Sequence, residues 1–170
     1  MIDGYLIAIG ILSWLMSFSV GANDAANALA TSYGSKALRL IFLVILGSIF
    51  EFIGAFWCSG QVAGKLVSDI IENVDTLDDL TINKMMLAAS IASFIFIMTS
   101  SLFGMPISGT HTVVGALIGA GLASVGASNI NWKKLAIIVA SWVVAPVLAI
   151  ILCTLLFMGV CVFTLDVARF

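Results

Sequence analysis

The chain has 170 residues, 62% of them apolar and 9% charged, against roughly 25% charged residues in a soluble globular domain. With a mean hydropathy of +1.21 and only seven basic and nine acidic side chains, a globule of this size could not wet its surface, so lipid is the expected solvent. A net charge of −2 without a basic run excludes nucleic acid as a partner, because binding to a phosphate backbone needs clustered Lys and Arg.

In chain order, apolar runs cover 4–22, 37–58, 85–103, 112–127 and 135–165. A crossing takes about 20 apolar residues, so the chain holds about five hydrophobic segments and is predicted to be an all-α, multi-pass integral membrane protein. The first run follows Met1-Ile2-Asp3-Gly4, which lacks a basic leader region, and it reads as a retained helix rather than a cleaved signal. This run passes into Gly21-Ala22-Asn23-Asp24-Ala25-Ala26-Asn27-Ala28. Asn23 and Asn27 are spaced i and i+4, and Asp24 and Asn27 i and i+3, which gathers oxygen-bearing side chains on one side of a helix. With backbone carbonyls freed by a break near Gly21, they would suit a hard cation. The plainer alternative is interhelical hydrogen bonding.

The second run carries Glu51 at its middle, flanked at helical spacing by Gly47, Ser48, Gly54 and Ala55. These small residues allow another helix to approach, so Glu51 is expected to point into the protein. A charge at the bilayer centre costs about 2.5–3.5 kcal/mol and usually marks a functional path. Glu51 could be a cation ligand, a proton acceptor or a buried neutral acid, since burial favours the protonated form unless a cation or donor holds the charge. Residues 66–84 form the only sizeable polar loop, with Asp69, Glu72, Asp75, Asp78 and Asp79, and read as a solvated segment outside the membrane.

The third and fourth runs are joined by Gly104-Met105-Pro106-Ile107-Ser108-Gly109-Thr110-His111-Thr112. Both are short once their polar ends are trimmed, and they read as a re-entrant helical hairpin over about 85–127, with two full spans as the alternative. Irregular backbone at membrane depth is tolerated only where protein covers it or where it lines a wet cavity. Pro106 suits the first turn of a helix, and a half-helix starting there would aim free N–H groups at an anion. Ser108, Thr110 and Thr112 add hydroxyls, and Gly109 lets a ligand approach the backbone; alternatively these hydroxyls only satisfy backbone groups. His111 reads as a packing and hydrogen-bonding residue.

Gly115, Gly119 and Gly121 are spaced for tight helix packing. In the last run, Ser141, Trp142 and Pro146 suggest a kink, and Trp132 beside Lys133 and Lys134 an interfacial anchor. Cys58, Cys153 and Cys161 include no CxxC pair and read as small apolar packers. The crossing count is odd whether the hairpin is re-entrant or spans twice, as one half of an inverted repeat requires. Basic residues are nearly balanced between the sides, with Lys36, Arg39 and Arg169 against Lys65, Lys84, Lys133 and Lys134. The positive-inside rule therefore leaves orientation almost undecided.

Taken together, Gly-Ala-Asn-Asp-Ala-Ala-Asn-Ala at 21–28, Phe50-Glu51-Phe52-Ile53-Gly54-Ala55, Pro-Ile-Ser-Gly-Thr-His at 106–111, and Ala140-Ser141-Trp142 with Pro146 resemble the N-terminal half of the inorganic phosphate transporter (PiT) family of sodium- or proton-coupled carriers. The similarity extends over the whole chain, 1–170, as a single transporter repeat. It implies two homologous halves of opposite orientation gathering phosphate and cations near mid-membrane. Asn23, Asp24, Asn27 and Glu51 would then serve cation coupling, with sodium possible at Asp24, Asn27 and Glu51. Ser108, Gly109, Thr110 and Thr112 would contact phosphate. No organic cofactor is implied, only sodium or a proton as coupling ion, and the resemblance suggests a plasma-membrane protein.

Because each motif occurs once, the expected working unit is larger: a longer protein with a second repeat, a separate partner half, or an antiparallel homodimer. The alternatives to phosphate transport are carriage of another oxyanion such as sulfate, or a regulatory half that does not transport. No enzyme is expected, since one His cannot assemble a nucleophile with its base and orienter.

Overall fold

The computed structural model describes residues 2–167, and its long elements are helices: α1 (Ile2–Gly34), α2 (Leu40–Ile70), α3 (Asp79–Leu102), α4 (Gly109–Val125) and α5 (Trp132–Val167). Short 3-10 turns lie at Val74–Thr76 and Ala127–Asn129. Four of the helices are long and apolar enough to cross a membrane; α4, with 17 residues, is shorter.

Helices continue through polar segments where hydropathy alone suggests a stop. α1 is unbroken through Gly21 to Gly34, so the expected break and its freed carbonyls are absent. Ala22, Ala25, Ala26 and Ala28 are the reason, since Ala is the strongest helix former and offsets the cost of one glycine. Likewise, the polar loop expected over 66–84 shrinks, because α2 runs to Ile70 and α3 starts at Asp79. Asp78 caps α3 by accepting the Thr81 N–H at 3.0 Å.

Two compact units divide the chain. In the first, residues 1–131, α1 and α2 form an antiparallel pair in register. Leu29 lies 3.6 Å from a β-carbon position built at Gly47, and Asp24 and Glu51 line one groove. α3 and α4 form a second pair, which packs on α1 through a stripe of α3 at Met85, Ala89, Ser93, Ile97 and Ser100, all buried. At the far end Ile71 and Ile130 meet in an isolated antiparallel bridge, reinforced by Glu72 N–H to Asn129 O and Asn131 N–H to Ile70 O. Gly121 makes room there, because a β-carbon would stand 2.6 Å from Ile71 Cδ1 and 3.0 Å from Ile130 Cδ1, and those side-chain ends would have to shift. Gly115 and Gly119 show no such close neighbour. The second unit is α5, a helix continuous through Pro146.

The outer surface is apolar. Phe52, Phe56 and Trp57 stack along α2 while about 70% exposed, and in α5 Leu156 and Phe157 are equally open. In water such a surface would collapse on itself; lipid is its matching solvent. Cys58 and Cys153 are on this exposed surface rather than packed inside, and Cys161 is half-buried.

Candidate functional site

The α3–α4 tip is built by local backbone chemistry. α3 ends in a Schellman cap: Met105 N–H reaches Ser100 O at 2.9 Å and Gly104 N–H reaches Ser101 O at 3.0 Å. This geometry needs a left-handed residue, supplied by Gly104 at φ +67°. α4 starts at Gly109 with Ser108 as N-cap, its hydroxyl oxygen accepting the His111 N–H at 3.3 Å. Pro106 therefore precedes the helix instead of opening it. An N-cap hydroxyl satisfies an otherwise open N–H of the first turn, which proline, two residues earlier, cannot do.

Asn23 of α1 holds this tip. Its amide nitrogen donates to Ser101 Oγ at 3.0 Å and to Met105 O at 3.1 Å, and its carbonyl oxygen accepts the Ile107 N–H at 3.0 Å. Asn23 is only 7% exposed, and both its donors are committed. Ser19, one turn earlier, is fully buried and donates to Leu15 O, so a polar but satisfied seam separates α1 from α3. The sequence reading did not single out Ser19, Ser93, Ser100, Ser101 or Met105. The Met85-Ala89-Ser93-Ile97-Ser100 spacing was the available signal.

One residue on, Asp24 faces elsewhere. A β-carbon at Gly109 would lie 3.4 Å from Asp24 Oδ2 and 3.6 Å from Val20 Cγ1. The first residue of α4 thus packs directly on the carboxylate, where the helix N-terminus is positive. Asp24 also lines a groove of about 600 Å³ between α1 and α2 with Gly21, Ala25, Ala28, Gly47, Ser48 and Glu51. The hairpin register sets this meeting: Asp24 lies ten residues before Gly34 and Glu51 eleven after Leu40, both about 16 Å from the connecting loop at 1.5 Å per residue.

Other expected site residues separate. Asn27 is exposed and lines a different groove, of about 350 Å³, with Asn23, Ala26, Gly104, Met105 and Pro106. The structure therefore does not bring Asn27 into one groove with Asp24 and Glu51. Glu51 is exposed at the open side of its groove rather than enclosed by an approaching helix. Among the described residues, no atom lies within 4 Å of a β-carbon position built at Gly54. Thr112 donates its hydroxyl proton to Ser108 O at 3.0 Å and lines a further cavity with Ala92, Phe96, His111 and Gly115. Ser108 and Thr110 are exposed and Gly109 half-buried.

These helices and their lipid-matched surface define a multi-pass integral membrane protein, with a hydroxyl-rich helix start seated against an intramembrane acid. Residues 20–169 match the profile of the phosphate transporter family, and the chain belongs to that family. It is 36% identical to the phosphate-repressible phosphate permease pho-4 of Neurospora crassa over 85% of its own length and 26% of the permease. A sodium-dependent phosphate transporter of Plasmodium falciparum is 37% identical over 85% of this chain and 22% of that one. A solved structure titled "The sodium-dependent phosphate transporter" superposes with a TM-score of 0.78 at 38% identity, covering 84% of this chain and 36% of the other. The chain thus spans about a quarter to a third of the length of the relatives it matches.

Proposed function

We propose that this chain supplies one repeat of a cation-coupled phosphate transporter. Asp24 and Glu51 take the cation, and the start of α4, with the Gly109 and Thr110 N–H groups and the Ser108 and Thr110 hydroxyls, takes the anion. The observation that carries this reading is the nearness of Gly109 to the Asp24 carboxylate, whose Oδ2 lies 3.4 Å from a β-carbon position built at Gly109, at the level of Glu51. Anion phosphate brought to α4 alone would meet the negative charge of Asp24. Two unit charges about 4 Å apart at an effective dielectric of 20 interact by ~4 kcal/mol, roughly a thousandfold in affinity. A sodium ion or proton on the Asp24–Glu51 side removes that repulsion, and by linkage bound phosphate strengthens cation binding equally.

Depth supports the same reading. The tip meets α1 at Asn23, eleven residues before Gly34, and so stops about 16 Å short of the end of α1. We read this stop as the turn of a re-entrant hairpin. The acids at this level line an open groove, whereas intramembrane acids ordinarily face a protein interior or a water-filled cavity. A second repeat of opposite orientation covers them in our reading; a separate partner half or an antiparallel homodimer would do so by the same geometry.

The test is phosphate uptake into liposomes by the purified protein under a sodium gradient, a proton gradient or neither, alongside Asp24→Asn and Glu51→Gln. Uptake driven by one gradient and lost in both variants is expected, and the gradient that drives it names the ion. Uptake unchanged in both variants overturns the cation assignment, and none under any gradient removes the self-sufficient homodimer. Equal competition by sulfate would widen the substrate to tetrahedral oxyanions.

A further inference from the structure

At the end of the α1–α2 pair away from the acidic loop, residues 34–39 turn the chain around a cleft of about 560 Å³ lined by Tyr33, Lys36, Leu38, Arg39 and Phe42. Its charge is of one sign. Between Asp24 and Glu51 the sequence contains Lys36 and Arg39 and no acid, and those two acids lie about 16 Å away along their helices. The other end of the same helix pair carries Asp69, Glu72, Asp75, Asp78 and Asp79. The turn itself is fixed, with Ser35 N–H on Thr31 O and Lys36 N–H on Tyr33 O, both at 3.0 Å. Lys36 occupies the left-handed region at φ +58°, which glycine would adopt without strain. A lysine kept in this conformation places a cation on the lining of the cleft at the cost of backbone strain, and strain of this kind concentrates where a ligand is held.

Leu38, Phe42 and Tyr33 are 47–57% exposed around these cations. The cleft closes the ends of two lipid-facing helices, so it lies at the depth of membrane headgroups. Basic residues at that depth attract anionic lipid by about fivefold in affinity per charge, and a tyrosine beside them suits the interface. We infer that Lys36 and Arg39 bind the phosphate of an anionic phospholipid headgroup, with Leu38 and Phe42 against the acyl chains. This inference stands apart from the transport site, whose residues it does not use.

The test is native mass spectrometry of the purified protein titrated with phosphatidylglycerol or phosphatidylcholine, with and without millimolar inorganic phosphate. Phosphatidylglycerol adducts should exceed phosphatidylcholine adducts and weaken about thirtyfold in Lys36→Gln/Arg39→Gln, the equivalent of ~1 kcal/mol per basic residue. Lys133→Gln/Lys134→Gln should leave them unchanged. Lys36→Gly separates charge from folding: thermal stability should rise while lipid binding falls. Adducts unaltered by Lys36→Gln/Arg39→Gln, or equal for both lipids, overturn the inference. Displacement of the lipid by inorganic phosphate would assign the cleft to free phosphate instead and overturn it equally.

Discussion

The two faces of α1 treat their polar residues in opposite ways. Toward α3, Ser19 and Asn23 are buried and hydrogen-bonded, and the seam is closed. Toward α2, Asp24 and Glu51 border an open groove lined mainly by small residues. Adjacent residues of one motif therefore divide the work. Asn23 fixes where the α3–α4 tip stands, and Asp24 borders the open groove beside it. A cation ligand must keep oxygen lone pairs available, and the groove side of α1 offers its carboxylate free of the tip's backbone hydrogen bonds, whereas the α3 side spends its amide on them.

The largest expected effect is on the closed face. Asn23→Ala removes three hydrogen bonds and strips partners from the Ile107 N–H and Met105 C=O. These bonds are part-buried, so each group left unsatisfied costs towards the low end of about 1–3 kcal/mol, and a loss of about 2 kcal/mol is predicted in thermal unfolding. Amide exchange at Ile107 should speed accordingly. Asn27→Ala, on an exposed residue, should stay within about 0.5 kcal/mol. If the two variants cost the same, the division between the faces is wrong.

A second pair of substitutions asks whether stability and ligand response separate. Gly121→Leu forces a side chain against Ile71 and Ile130, and overpacking of this kind costs about 1–3 kcal/mol. It lies at the far end of α4 from the tip, so the cation-dependent phosphate binding we propose, measured by calorimetry, should survive in the folded fraction. Gly109→Val crowds Asp24 Oδ2 and Val20 at the tip itself. A smaller stability loss, about 1 kcal/mol, is expected there, with the proposed cation dependence abolished. Retention of that dependence in Gly109→Val would uncouple α4 from Asp24.

On the open face, stability should hardly move. Asp24→Asn and Glu51→Gln line a groove that neither closes, and changes within about 0.5 kcal/mol are predicted. On the proposed reading, their effects on stabilisation by the coupling cation should be non-additive by about 1 kcal/mol, as for two groups sharing one partner. Strict additivity in that double-mutant cycle would place them on different ions.

The α-helical membrane architecture was legible because apolar runs report the lipid-facing length of each helix. Helix ends were not: α1 continues past Gly21, and α2 and α3 extend into the polar loop, since hydropathy records the solvent and not the backbone hydrogen bonding. Residue types at the site were legible too, as Asp24, Glu51, Ser108 and Gly109 are rare chemistry in an apolar chain. The role of Asn23 was hidden because its partners lie 78–84 residues away and two are backbone groups, which have no signature in side-chain spacing. The separation of Asn27 from Asp24 was hidden for a related reason. Helical periodicity gives angles about one axis, but which groove each angle opens into depends on where α2 and the α3–α4 tip dock.

The smallest effect lies outside both faces and keeps them interpretable. Asp78 accepts the Thr81 N–H at the start of α3; hydrogen bonding from the Thr81 side chain first and from its N–H second, helped by Lys84, holds its carboxyl below the ordinary value of 3.8. A lowered carboxylate contributes stability that is complete above the unfolded value and is lost as pH falls through the folded one. The fraying of α3's first turn should therefore begin only in acid below that ordinary value, read as faster exchange of the Thr81 amide. Asp78→Asn keeps a capping oxygen and should erase this acid dependence with little change near neutrality. Any pH response of phosphate binding near neutral pH that persists in Asp78→Asn then belongs to a different group, and its loss in Asp24→Asn or Glu51→Gln would locate that group in the groove between α1 and α2.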